Sequence, residues 1–412
     1  MDIKGRLGRW GGALVALAAM WTGSAAALEC RPVASLNYNL TEQWNNMPAD
    51  QSPVLCTIKR VTSRQNFNVY IILDKVTIKG GNCKVLADLE IVRPDGKVCF
   101  AGRDIVALSG IVSVPAGHNS FLSPQFVKVR LEDADPLGKY TIKLTTKDVL
   151  SKQTATGEAA VELVSAREDL MAVDFTDPQS QQLMTYYYLQ PEPEELVPLF
   201  LGYCKYYRDV LRKDGKHNPL TVLTFFYRAF DLNRQLIPPL AAAAHELDPI
   251  GKNFTIMLLY YLGVKEEKYY DEIGKAQAAG FRKILAVQPN PFEFDFPVMP
   301  LQLDMLWANF FVTGDFDPIR KIVMAIGEIR RGMSPEQFKA VKKPTNADQM
   351  KLSHWLVGYA AKWSLGANVR QHPLVRAYLD WLVKSPDLKN DFVRQQLQEI
   401  LTTTAAPAPV KK

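Results

Sequence analysis

Apolar residues recur with a period of two between Val54 and Val164, and with a helical period from Asp177 onward. The strand-like runs are Val69–Leu73, Val85–Val92, Lys97–Leu108, Phe126–Leu131, Tyr140–Thr145 and Ala159–Val164. Val127, Val129 and Leu131 alternate with Lys128, Arg130 and Glu132, the mark of a strand with one wet face. Turn chemistry separates the runs. Arg93-Pro94-Asp95-Gly96 reads as a tight turn, because Pro fixes φ early and Gly accepts positive φ late. About seven short strands with regular turns predict an antiparallel β-sandwich over residues 54–164.

After a linker over 165–177, residues 178–403 read as helices. Ile319, Ile322, Val323, Ile326 and Ile329 form one apolar stripe behind Asp317-Pro318, which reads as N-cap and first helical residue, with Arg320, Lys321 and Glu328 outside it. Leu303, Leu306, Trp307 and Phe310 precede Gly314, a stop signal, and Ser334 with Gln337 makes a capping-box pair. Asn218-Pro219 opens a further helix, and Val375–Leu382 and Val393–Leu401 mark the last two of roughly ten. Short-looped consecutive helices predict stacked hairpins, as a bundle or an irregular solenoid. The tail over 404–412 carries no periodic pattern and is expected to be disordered.

Two stretches carry resemblances. Asp135-Pro136-Leu137-Gly138-Lys139-Tyr140-Thr141-Ile142 resembles the late-strand entry of immunoglobulin-like and macroglobulin-like exported domains, although immunoglobulin tryptophan and cysteine spacing is absent. Trp355-Leu356-Val357-Gly358-Tyr359 resembles part of a tetratricopeptide (TPR) signature that does not recur at the required spacing. The expected fold class is therefore multidomain, β then α: an Ig-like β-sandwich followed by an all-α, TPR-like or irregular helical-hairpin array.

Location follows from the N-terminus. Lys4, Arg6 and Arg9 precede the apolar run Ala13–Met20, and Gly23–Ala27 are small residues suited to a signal peptidase. That layout predicts a secretory signal over 1–27, then an extension over 28–53, and export to a bacterial periplasm or beyond. Glu29 precedes Cys30 where a lipobox needs a small residue, and no later run approaches the roughly 20 apolar residues of a membrane span. No transmembrane anchor is expected after cleavage. Five cysteines would then enter an oxidising compartment, and sequence order suggests the pairs Cys30–Cys56 and Cys83–Cys99, with Cys204 left over as a buried apolar residue.

Charge and motifs mostly exclude. The formal charge is +6, about +4 without the signal, and basic residues are interspersed with acids, so nucleic acid is not an expected partner. No HExxH, GxSxG, SxxK, GxGxxG or P-loop pattern occurs, and no CxxC. His118, His217, His245, His354 and His372 are far apart in sequence and read as surface or cap residues, so no metal or other cofactor is expected. Asp133, Asp135 and Gly138 read as a solvated turn, because the later positions of a calcium loop are Leu137 and Leu144. Glu293 and Asp295, between prolines and three phenylalanines, are the one carboxylate pair with a conceivable catalytic role.

Tyrosines are the candidate binding residues: Tyr186, Tyr187, Tyr188, Tyr203, Tyr206, Tyr207, Tyr260, Tyr261, Tyr269 and Tyr270. Adjacent helical residues point about 100° apart, so some of these rings must lie at edges, where protein or glycan contact is possible. The function expected from all this is non-catalytic: protein interaction or scaffolding in a cell-envelope assembly. A glycan or peptidoglycan module using the tyrosines is the first alternative, and a carboxylate-dependent hydrolase the second.

Overall fold

A computed structural model describes residues 27–36, 40, 41, 44, 55–111, 120–165, 172–215 and 217–403. Residues 1–26 of the expected export signal, His118 and the expected tail lie outside the described residues.

Nine strands come first among the described residues, in two sheets. One holds β1 (Glu29–Ser35), β3 (Asn66–Asp74), β6 (Ser120–Leu122) and β7 (Val127–Arg130), with β1 on one side of β3 and β6 and β7 on the other. The second has the order β2 (Arg60–Thr62), β9 (Thr154–Val164), β8 (Gly138–Asp148), β4 (Asn82–Val92), β5 (Val98–Ile111), antiparallel except that β2 runs parallel to β9. The sheets share one apolar core, a sandwich-like arrangement. Val69, Ile71 and Leu73 of β3 meet Val85, Leu89 and Ile91 of β4 and Ile142 and Leu144 of β8 there. Strict alternation builds it: Tyr140, Ile142, Leu144, Thr146 and Asp148 are buried while the residues between them are not.

The stretch expected as an extension contains β1, which lies antiparallel to β3 with Pro32 opposite Ile71. Pro32 is tolerated because β1 is an edge strand.

The expected disulfides are not present. Cys30, Cys56, Cys83, Cys99 and Cys204 are all free. Cys99 Sγ donates to the carbonyl of Ile91 at 3.3 Å, while Cys83 lies eight residues earlier on that strand, with its thiol toward Gly110. Eight strand residues span about 27 Å, and a disulfide needs Cα atoms within about 7 Å. The Cys56 carbonyl accepts from Ser35 Oγ at 2.7 Å, five residues along β1 from Cys30, about 17 Å away.

Eleven helices of eight residues or more follow among the described residues: α1 (Pro178–Tyr186), α2 (Leu196–Tyr206), α3 (Leu220–Leu232), α4 (Ile237–Ala244), α5 (Pro249–Tyr261), α6 (Glu267–Leu285), α7 (Pro300–Thr313), α8 (Phe316–Ala325), α9 (Asn346–Asn368), α10 (Pro373–Lys384) and α11 (Asp391–Thr403). They form two apolar cores, one around α2, α3 and α5 and one around α7 to α11. Gly314 ends α7 at φ 67°, and Ser334 with Gln337 makes the capping box as read. Helix α8 starts at Phe316 behind Asp315, two residues earlier than expected, because the Asp317 carboxylate instead takes Arg320 and Lys321. Glu328, expected outside, is buried and receives Arg331 at 2.9 Å and His354 Nδ1 at 2.5 Å.

The two regions interlock. Cys56, whose backbone is held by β1, buries its side chain in the second helical core beside Tyr188. Arg60 of β2 pairs with the buried Glu194 at 2.5 Å, and Gln65 donates to Asn233 at 2.8 Å.

Candidate functional site

A polar cleft of about 460 Å³ opens between α3, the 291–297 strap, α7 and the start of α8. The strap brings Glu293 and Asp295 to it, α3 supplies Tyr227 and Arg228, α7 supplies Asn309, and α8 supplies Asp317 and Lys321. The Tyr227 hydroxyl donates to Glu293 Oε1 at 3.0 Å, and its ring stacks on Phe292 at 4.6 Å. Burial pushes the Tyr227 phenol up, against a hydrogen bond from Asn290 and with the help of the Glu293 carboxylate. Burial also raises Asp317, but hydrogen bonds from Arg320 and Lys321 outweigh it and hold that carboxyl below its usual range. Lys321 Nζ lies 3.1 Å from Asp317 and 3.3 Å from the carbonyl of Phe294, which ties the strap to α8. Asn309 Oδ1 and Arg228 Nε are buried without a hydrogen-bond partner.

Chemically, the cleft offers acceptors and two cations around a space of ligand size. Glycoside cleavage needs one carboxyl kept protonated beside a second that stays ionised. Asp317 is locked in an ion pair, and Glu293 is already an acceptor for Tyr227. Among the described residues, no group of three or more His, Cys, Asp or Glu is placed to hold a metal.

The tyrosines split. Tyr187, Tyr188, Tyr203 and Tyr270 are buried, with Tyr187 and Tyr203 packed in the first helical core and Tyr188 in the second. The Tyr270 hydroxyl donates to the Val264 carbonyl at 2.9 Å. Tyr186, Tyr206, Tyr207, Tyr260, Tyr261 and Tyr269 are half-buried at the rim. They are spread over α1, α2, α5, α6 and the turn after α2 rather than gathered into one platform.

The histidines differ from the reading in one case. His217 and His245 are exposed and His354 is half-buried, whereas His372 is fully buried. Its Nδ1 lies 3.1 Å from the Tyr188 hydroxyl, Nε2 has no partner, and its ring packs on Phe311.

Periodicity did not single out the β5 edge. Among the described residues no strand pairs with the outer side of β5, which is 14 residues long with one buried residue, Ala107. Phe100 and Ile111 are 37% and 87% exposed. A signal was available: Lys97–Leu108 lacks the clean alternation of β4 or β8.

No protein-family model matches the chain, and no curated protein does either. Solved structures give weak likenesses. A PKD domain of an M14-like peptidase from a Thermoplasmatales archaeon is 13% identical, covering 34% of this chain and 98% of that one at a TM-score of 0.18. A Niemann-Pick type C2 protein from the Japanese carpenter ant is 9% identical over 35% and 99%, at 0.20. A family 123 glycoside hydrolase from Clostridium perfringens is 10% identical over 45% of this chain and 36% of that one, at 0.24. No activity follows from likeness at that level.

Proposed function

We propose that this protein is an exported, non-catalytic interaction or scaffold component of a cell-envelope assembly, and that it takes a protein partner by strand addition to the open edge of β5. The observation that carries the reading is that edge: a long strand with no partner on its outer side among the described residues, bearing exposed apolar side chains, is a template for another chain's strand. Arg103 and Asp104 sit midway along it, so any added strand has charged as well as apolar contacts to make. Residues 54–164, together with β1, are read as an immunoglobulin-like unit. In support, the Tyr140 hydroxyl donates to the Pro136 carbonyl four residues upstream at the entry to β8, a corner contact used by such sandwiches. Residues 178–403 are read as a TPR-like or irregular array, a common platform for partners.

The test is affinity capture from crosslinked envelopes with the wild-type chain and with a Phe100→Lys/Ile111→Lys variant. Lysine on an exposed edge blocks pairing without disturbing a core. A stoichiometric partner lost in the variant, at unchanged melting temperature, supports the reading. Recovery of the protein alone, or equal recovery by both chains, refutes it.

A second reading attaches to the cleft. Aromatic rings of Tyr227 and Phe294 beside Asn309 and Asp295 suit a polar, sugar-like ligand. Calorimetry with soluble peptidoglycan fragments, against Asn309→Ala and Glu293→Gln, decides it. Turnover of those fragments, abolished by Glu293→Gln, would revive the hydrolase alternative instead.

A further inference from the structure

Helix α9 is apolar on two sides. Val357, Ala361 and Leu365 face the second helical core. On the opposite side Leu352, Leu356, Tyr359 and Trp363 follow one another at spacings of four, three and four, which places them along one line of the helix surface. Leu356 is 39% exposed, Tyr359 52% and Trp363 70%. Trp355 stacks on Tyr359 at 4.8 Å with the planes nearly parallel. Ser353 Oγ donates to the Val298 carbonyl at 3.3 Å, setting the exposed Val298 and Met299 beside the line. Rings and aliphatic chains on the outer side of a helix cost hydration that folding does not recover.

Charge marks the same place. Residues 328–370 hold eight Lys and Arg against three acids, a net +5, while the whole chain carries +6. Met333 N donates to the Lys351 carbonyl at 3.0 Å and so brings the preceding basic segment along one flank of α9. Lys339, Lys342, Lys343 and Lys351 are exposed there, and Arg370 is exposed beyond the other end. The three acids are occupied: Glu328 is buried against Arg331 and His354, Glu336 accepts from Ser334, and Asp348 caps with Thr345; of the eight cations Arg331 and Lys362 are paired too, with Glu328 and Glu399.

We propose that this face docks on an anionic phospholipid bilayer, with Tyr359 and Trp363 at the headgroup boundary and the lysines against lipid phosphates. Tyr and Trp, each with an apolar body and a polar tip, suit that depth. A headgroup layer conforms to protruding rings and meets scattered lysines at once, whereas a protein partner would have to supply a matching cavity and several placed acids. The surface is separate from the β5 edge and does not rest on that reading.

The experiment is co-sedimentation of the purified chain with vesicles of phosphatidylcholine alone or in equal parts with phosphatidylglycerol, at low and high salt. Binding is expected only to the anionic vesicles, and salt should weaken it. A Lys342→Ala/Lys343→Ala variant should bind about twenty-five-fold more weakly, at about fivefold for each lysine near an anionic surface. A Tyr359→Ser/Trp363→Ser variant should lose about tenfold through its apolar area. Both should melt like the wild type, because all four side chains are exposed. The Phe100→Lys/Ile111→Lys chain should bind vesicles normally, so the two readings fail separately. No association with anionic vesicles at low salt, or variants that bind like the wild type, overturns the proposal, and so does a partner protein that occupies the face while vesicles do not.

Discussion

Protonating His372 should be costly to the fold. The imidazole is fully buried, touches one polar group, the Tyr188 hydroxyl at 3.1 Å, and packs against Phe311 and Tyr186. Burial lowers its pKa to about 4, from 6.5. In the unfolded chain the ring charges near pH 6.5, so there the unfolded state binds the proton more tightly than the native one. This contribution to stability is therefore complete above pH 6.5 and is lost as pH falls toward 4. Linkage makes the loss about 2 kcal/mol at pH 5 and about 3 kcal/mol at pH 4. His372→Gln removes the titration and keeps an amide that can meet Tyr188. Urea unfolding of both chains from pH 8 to 4.5 gives the test, because carboxylate titrations common to both cancel in the difference. The wild type should lose about 2 kcal/mol more than the variant between pH 7 and 5. Parallel curves would mean that the ring is already charged in the fold, or is reached by water, and would refute the argument.

Three further outcomes are expected. Arg60→Ala leaves Glu194 buried without its cation, and because Arg60 itself is 42% exposed the cost should be about 2 kcal/mol, below that of a fully buried pair; adding Glu194→Gln should recover most of it in denaturant melts. Gly358→Ala would set a methyl 2.6 Å from Ile329 N and 2.7 Å from Ile329 Cγ1, where α9 meets the 328–331 turn, and should cost roughly 1–3 kcal/mol by the same assay. A thiol reagent on the native chain should label Cys99 first and leave Cys56 and Cys204 intact until unfolding, since burial pushes Cys56 up to about 12 and Cys204 well above its ordinary value; reductant should leave the melting temperature unchanged.

What the sequence discloses depends on how local its cause is. Strands β4, β8 and β9 were readable because each has one wet face, and Gly314 and the Ser334–Gln337 pair because a cap is chemistry within a few residues. Strand β1 was not readable: its partner β3 lies some forty residues on, and Pro32 breaks its pattern. Burial of Glu328 and His372 is set by Arg331, His354 and Tyr188, which reach them from other elements or other turns. Geometry foretold that the tyrosines diverge, but not that Tyr187 and Tyr203 face inward while Tyr206 and Tyr260 sit at the rim. The strap carboxylates Glu293 and Asp295 were visible as a pair. Their companions Tyr227, Asn309 and Lys321 come from three separate helices, and no spacing rule reaches that far.

The junction between the two regions bears on which sheet edge can serve a partner. In the five-stranded sheet, β2 forms one edge and β5 the other. The β2 edge is taken, with Arg60 on Glu194 and Thr62 accepting from Gln235 Nε2 at 3.1 Å. Four interstrand spacings, about 19 Å in all, separate it from β5. Helix docking therefore covers the short edge, three residues long, and leaves the long one outermost. A short edge strand is easily protected by burial, whereas a long open one is usually blunted by charge or bulges. Register shifts between β4 and β5 twist β5, and Arg103 and Asp104 charge its middle, yet Phe100 and Ile111 toward its two ends remain exposed. The charge pair sits in the middle while the register shifts run along the strand, so indiscriminate pairing is disfavoured and apolar anchor points toward the two ends are left for the strand of matched sequence proposed above.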